Sequence, residues 1–175
     1  MTSMPSAKAP VLVIDLQTGM FTGSSPLHDG EGLTRRVREV LAWARRTGRQ
    51  VAFVQQNSEP PDQLAPGAPG WPIWPELGQA PDEPTFGKTE KNAFTSPPVR
   101  DWVAAQDVDE VVVIGGATNH CIAATVGGAM ANGYKVTVIA DAHATGGEGA
   151  PQIIADHNAA FAAAGVRILT VKDLA

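Results

Sequence analysis

The stretch Val111–Asp141, VVVIGGATNHCIAATVGGAMANGYKVTVIAD, decides how the rest of this chain is read. Val111 to Ile114 is an apolar run of strand length, and Gly115 and Gly116 follow it as a turn. The spacing then predicts a helix from about Asn119 to Asn132, capped by Gly133, and a second strand from Val136 to Ala140, ending in Asp141. Ala123, Ala124, Gly127, Gly128 and Ala131 keep the helix surface small, so it can lie close to a sheet. Cys121, the only cysteine, falls in the first turn of that helix. Unpaired N–H groups and the helix dipole favour a thiolate at such a place.

Working outward, Pro10 opens the run VLVI, apolar at every position until Asp15. A strand apolar on both faces belongs in the middle of a parallel sheet, with helices on either side. Asp15 therefore sits at the carboxyl end of a buried strand, and LQTGMFTGSSPLHDGEG after it reads as a loop. Leu33, Val37, Val40, Leu41 and Ala44 recur at helical spacing, with Gly48 as the cap, and Gln50 to Gln55 gives another strand. From Gln56 to Pro98, prolines and glycines break every pattern, so the segment reads as an active-site cover or a subunit-contact loop anchored by Trp71, Ile73 and Trp74. Within it Thr85–Lys88 suits a short edge strand, and Pro98 then opens a helix to Gln106. Downstream, a glycine loop from Gly146 to Gly149 leads to a helix starting at Pro151, with Ile153, Ile154, His157 and Phe161 on one face, then Gly165 and a last strand, Val166 to Val171. Alternating strands and helices give a three-layer α/β/α, Rossmann-like architecture with a mostly parallel sheet of five or six strands and sites at the strands' carboxyl ends. Residues 1–8 are expected to be a flexible arm and residues 9–175 a single domain.

At 175 residues, with 43% apolar and 18% charged residues, the chain suits one globular domain. A formal net charge of -5 with scattered basic residues argues against nucleic acid as a partner, and no apolar span is long enough for a membrane. MTSMPSAKAP lacks the apolar centre of a secretion signal, and one cysteine forms no internal disulfide, so a cytoplasmic location is expected.

A nucleophilic cysteine needs a proton acceptor, a device that holds the thiolate, and donors for the oxyanion formed when a carbonyl is attacked. Asp15 can supply the first. His120 adjoins Cys121 but points to another side of the helix. Lys88 and Lys91, both in FGKTEKNAF, are candidates for the second, since a cation beside a thiol lowers its pKa from about 8.5. The turn Gly115–His120 can aim backbone N–H groups at a carbonyl. His28, His120, His143 and His157 show no metal-ligand spacing, and His143 and His157 read as structural.

Four segments, VLVIDLQTGMF, FGKTEKNAF, VVVIGGATNHCIAATVGGAMANGYKVTVIADAHAT and the helix with DHNAAF, make the chain resemble the isochorismatase-like cysteine hydrolases, from about Pro10 to Leu174. The resemblance implies an Asp-Lys-Cys triad, which maps onto Asp15, Lys88 and Cys121; Lys88 stands six residues before Phe94, as the family lysine does before its aromatic. It implies a non-proline cis peptide at Gly116–Ala117 and an oxyanion hole formed by the N–H groups of Ala117 and Cys121. Substrate contacts are expected from Gln17, Phe21, Gln56, Trp71, Trp74 and Thr118, with Gln17 also steadying its loop. True isochorismatases carry an aspartate where this chain has Cys121, and nicotinamidases carry an Asp-x-His metal motif where this chain has QQNSEP. The implied activity is a metal-independent, cofactor-free amidohydrolase acting on a small carboxamide, ureide or lactam through a thioester, in a homo-oligomer. The alternatives are a nicotinamidase-type amidase and a non-hydrolytic member with a redox-sensing or ligand-binding thiol.

Overall fold

The computed structural model describes residues 2–175. Six strands form one sheet in the order β3-β2-β1-β4-β5-β6, every neighbouring pair parallel. They are β1 (Val11–Ile14), β2 (Val51–Gln56), β3 (Thr85–Lys88), β4 (Glu110–Gly116), β5 (Lys135–Ala144) and β6 (Arg167–Leu169). The helices are α1 (Thr18–Thr22), α2 (Gly30–Arg46), α3 (Pro97–Ala105), α4 (Ala123–Ala131) and α5 (Ala150–Ala163). The chain builds outward from β1 to β3, returns to place β4 on the other side of β1, and builds outward again. The order reverses between β1 and β4, so a crevice opens at their carboxyl ends. Asp15 and the turn before Cys121 flank that crevice.

β1 is buried on both faces, as its unbroken apolar run requires. Val11 and Val13 face a core shared with Leu33, Val37, Val40, Leu41, Trp43 and Ala44 of α2. Leu12 and Ile14 face a second core with Val99 and Val103 of α3 and Val126 and Ala129 of α4. Truncating a fully buried member such as Ile14 to alanine costs about 2–5 kcal/mol. At the start of α2 the Asp29 side chain accepts a hydrogen bond from the Gly32 N–H (3.2 Å), and Arg45 and Arg46 lie in its last turn, where cations suit the dipole. Pro97 and Pro98 open α3, where their missing N–H groups cost nothing.

β5 differs from its sequence reading, running past Asp141 to Ala144. Its register with β4 jumps: β4 advances two residues from Val113 to Gly115 while β5 advances five, from Val138 to His143. The bulge lets β5 resume pairing beside Gly115 and Gly116, bringing His143 and Ala144 against the end of β4, just before the turn that carries Cys121. Gly115 has φ +128, and a Cβ there would lie 2.1 Å from the Ile14 carbonyl oxygen, so close approach of β4 to β1 demands glycine. The short helix α1 lies inside the segment read as a loop, since its glycine and threonines carry no helical pattern. The N-terminal arm is fastened at residues 5–9 rather than free. Pro5 and Ala9 are buried, the Ser6 N–H donates to Glu110 (2.8 Å), and Arg49 donates to the Ser6 and Pro5 carbonyls. Among the described residues no helix is long and apolar enough to cross a membrane.

Candidate active site

Asp15 leaves the buried end of β1 with φ +50, a conformation that aspartate tolerates better than most residues. Lys88 ends the edge strand β3, and Cys121 lies in a widened turn, Thr118–Ile122, between β4 and α4. In that turn the Ile122 N–H reaches back five residues to the Ala117 carbonyl (3.1 Å), and the His120 N–H joins it (3.0 Å). Such π-type turns recur at functional sites. The peptide Gly116–Ala117 is cis, as the sequence resemblance implies.

The structure brings the three residues together. Lys88 Nζ stands 3.0 Å from Asp15 Oδ2 and 3.4 Å from Cys121 Sγ, with both charged side chains almost fully buried. Two further acceptors hold the ammonium, Gln56 Oε1 at 2.5 Å and the Glu90 carbonyl at 2.9 Å. An ammonium carries three protons and here meets four acceptors, of which the neutral sulfur is the farthest. Charge developing on sulfur would draw one of those protons toward it. The remaining oxygen of the carboxylate, Asp15 Oδ1, is buried without a fixed donor, and the Cys121 thiol stands where it can hydrogen-bond the carboxylate.

The electrostatics correct the expectation of a lysine-stabilised thiolate. Burial, followed by the negative Asp15, pushes the Cys121 thiol up to about 12, and Lys88 offsets this only in part. Burial also raises the Asp15 carboxyl, against the opposing pull of Lys88. The resting pair is thus a protonated thiol beside a carboxylate of raised proton affinity, a donor and a base rather than a preformed nucleophile.

The other expected contacts divide. Gln17 is fully buried and spends its amide on backbone: Nε2 donates to the carbonyls of Gln56 (3.0 Å) and Trp71 (2.9 Å), and Oε1 accepts from the Gln56 N–H (3.0 Å). It is a clamp between the ends of β1 and β2 and the long loop, with no group left for substrate. Gln56 has both ends of its side chain engaged, Oε1 on Lys88 and Nε2 on the Thr89 carbonyl (3.0 Å), so it orients the lysine. Trp71 Nε1 donates to Asn57 Oδ1 (2.8 Å), pinning the loop to the segment after β2. Phe21 and Trp74 stack at 4.8 Å between centroids and line a cleft of about 300 Å³ with Leu27, Thr34, Glu31 and Glu76. None of Asp15, Lys88 and Cys121 lines that cleft. Thr118 is fully buried, its hydroxyl 2.8 Å from His143 Nδ1, so it faces away from any substrate. Of these residues, Gln17, Gln56, Trp71, Trp74 and Thr118 have their polar side-chain atoms taken by backbone groups and neighbouring side chains. Gln56 as a lysine partner was beyond the sequence, because nothing local shows β2 and β3 ending side by side.

α4 also shapes the site. Thr125 Oγ1 accepts from the Ala93 N–H (3.1 Å), and a Cβ on Gly128 would meet Asn92 Oδ1 at 2.1 Å, so the helix holds the segment that follows Lys88. At the mouth, the exposed Lys91 Nζ lies 3.5 Å from His120 Nδ1. Among the described residues no three His, Cys, Asp or Glu side chains gather closely enough to hold a metal ion.

Comparison with known proteins identifies the family and the fold. Residues 9–173 match the isochorismatase domain. A streptothricin hydrolase of Streptomyces noursei is 33% identical over 135 residues, covering 77% of this chain and 54% of the relative. A second streptothricin hydrolase is covered to 49%, so the chain spans about half the length of these two relatives. The nicotinamidase/pyrazinamidase of Mycobacterium tuberculosis is 27% identical over 158 residues, covering 75% of this chain and 83% of the relative. In fold, the structure of an isochorismatase from Pseudomonas putida superposes with a TM-score of 0.90 at 23% identity, covering 99% of this chain and 94% of that one. The chain belongs to the isochorismatase-like hydrolase family.

Proposed function

We propose that the chain is a metal-independent cysteine amidohydrolase that cleaves the C–N bond of a small carboxamide, ureide or lactam. The observation that carries this reading is the contact of one buried lysine with both the Asp15 carboxylate and the Cys121 sulfur at the switch point of the sheet. As Sγ attacks the carbonyl carbon, its proton passes to Asp15. The negative oxygen is received by the N–H groups of Ala117 and Cys121; the Cys121 N–H is not among those converging on the Ala117 carbonyl. Asp15 returns the proton to the leaving nitrogen as the C–N bond breaks, leaving an acyl group on sulfur. Water, losing a proton to Asp15, then cleaves the C–S bond, and the acid departs as the thiol is reprotonated. Lys88 keeps Asp15 oriented and balances charge on oxygen or sulfur throughout. The names of the relatives make streptothricin and nicotinamide the first compounds to test. A redox-sensing thiol has less support, because the reactive thiolate is suppressed at neutral pH.

The test is ammonia or amine release from a panel containing streptothricin, nicotinamide, ureides and simple carboxamides, with and without a strong chelator. Turnover that survives the chelator and is lost in Cys121→Ala is expected. Turnover retained by Cys121→Ala, or lost to the chelator and restored by zinc or iron, would overturn the reading.

A further inference from the structure

A buried polar chain runs from α5 to the turn that carries Cys121. Asn158 Nδ2 lies 3.1 Å from the Ala140 carbonyl, Asn158 Oδ1 lies 2.8 Å from His143 Nε2, and His143 Nδ1 lies 2.8 Å from Thr118 Oγ1. His143 and Thr118 are 2% and 0% exposed, so neither can exchange these partners for water.

One end of the chain fixes every direction in it. A backbone carbonyl only accepts, so the NH₂ group of Asn158 must face Ala140 and its oxygen must face the imidazole. His143 therefore carries its proton on Nε2 and leaves Nδ1 bare. A bare nitrogen requires the Thr118 hydroxyl to donate. Burial holds the imidazole in this neutral form, lowering its proton affinity; the bond to Asn158 and, more weakly, Asp141 pull the other way, His157 adds to the lowering, and the Phe161 ring meets it edge-on at 6.3 Å. The bulge in β5 is what brings His143 within reach. A second tie comes from the residue after that strand, where Thr145 Oγ1 donates to Asn119 Oδ1 (2.8 Å).

We propose that His143 is a positioning residue for the nucleophile: its bare Nδ1 accepts the Thr118 hydroxyl and so fixes the turn that sets Cys121 and the adjoining N–H groups. This rests on the reading of Cys121 as nucleophile. The catalytic requirement is an acceptor at the Nδ1 position, and the bond to Asn158 only orients the ring.

Two substitutions separate the halves. Asparagine places an amide oxygen where Nδ1 stands, and glutamine places an amide nitrogen where Nε2 stands. His143→Asn, His143→Gln, Thr118→Val and Thr118→Ser are compared by the alkylation rate of the single cysteine with iodoacetamide, and by kcat and KM on whichever panel compound is hydrolysed. Loss of this hydrogen bond, through its acceptor in His143→Gln or its donor in Thr118→Val, should reduce both the alkylation rate and kcat by about tenfold with KM unchanged, whereas His143→Asn and Thr118→Ser stay near wild type. The double variant Thr118→Val/His143→Gln should fall no further than either single one, because both remove the same bond. Glutamine outperforming asparagine, or full rates in Thr118→Val, overturns the proposal. Should a His143 variant fail to fold, the Thr118→Val and Thr118→Ser pair carries the test. The alkylation rate needs no turnover, so failure of the amidase reading remains distinguishable from failure of this one.

Discussion

Replacing Asp15 with asparagine should make the thiol more acidic while removing activity. In the wild-type site the carboxylate raises the Cys121 pKa both by its charge and by its hydrogen bond, and only Lys88 opposes it. Asp15→Asn removes both contributions, keeps the volume, and leaves Lys88 on Gln56 and the Glu90 carbonyl beside the sulfur. Loss of one adjacent charge should raise the thiolate fraction at a given pH by about ten- to a thousandfold. Intrinsic nucleophilicity falls with pKa to roughly the half power, so alkylation by iodoacetamide at fixed pH should accelerate by about three- to thirtyfold. Amide turnover should move the other way, dropping by about 10²–10⁴-fold in kcat/KM, because no group is left to carry a proton to the leaving nitrogen. The assay is intact-mass measurement of alkylation against pH beside turnover on the same preparation, made clean by the single cysteine. Slower alkylation in Asp15→Asn would refute the charge argument, and retained turnover would refute Asp15 as the proton carrier.

Three other outcomes follow from the same contacts. The acid limb of kcat/KM should lie above the ordinary aspartate range, because burial raises Asp15 and its proton carrier must be ionised before attack; a limb at or below that range contradicts this. The linked stability has a definite sign: a carboxyl raised on folding stabilises the protein fully below its unfolded pKa, and that contribution fades as pH rises through the folded value, which urea titrations of wild type and Asp15→Asn would reveal. Gln17→Leu, which strands the Gln56 N–H and removes a donor from the Gln56 carbonyl while Gln55 Nε2 still serves the Trp71 carbonyl, should cost about 1–3 kcal/mol in urea unfolding, and a loss below about 0.5 kcal/mol would show that water replaces the clamp.

The architecture was legible because its strands announce themselves. VLVI and VVVI are apolar at every position, and only a central parallel sheet uses strands of that kind. Asp15 was legible because it follows such a run directly, and Cys121 because it opens the helix after the glycine turn that ends the other. Lys88 was narrowed from the pair with Lys91 by resemblance; the structure places Lys88 against the sulfur and Lys91 beside His120 at the mouth. The extension of β5 was hidden because His143 and Ala144 pair by backbone with two glycines and show no alternation. The thiol's state was misread for a different reason. A sequence places a cation near sulfur but does not weigh it against burial and a neighbouring carboxylate, and here those two win. Gln17 and Gln56 looked free for substrate because their partners, the end of β2, Lys88 and the Trp71 carbonyl, are distant in sequence and come together only when the strands align.

The most direct measurement is the mass of the protein within the first turnovers on a hydrolysed amide, acid-quenched and digested to locate any adduct. A transient acyl group on the peptide containing Cys121, absent from Cys121→Ser and discharged by hydroxylamine, is the predicted result. Burst-free turnover with an unmodified Cys121 at every time point, under conditions that would trap a slowly hydrolysed thioester, would contradict covalent catalysis by this residue.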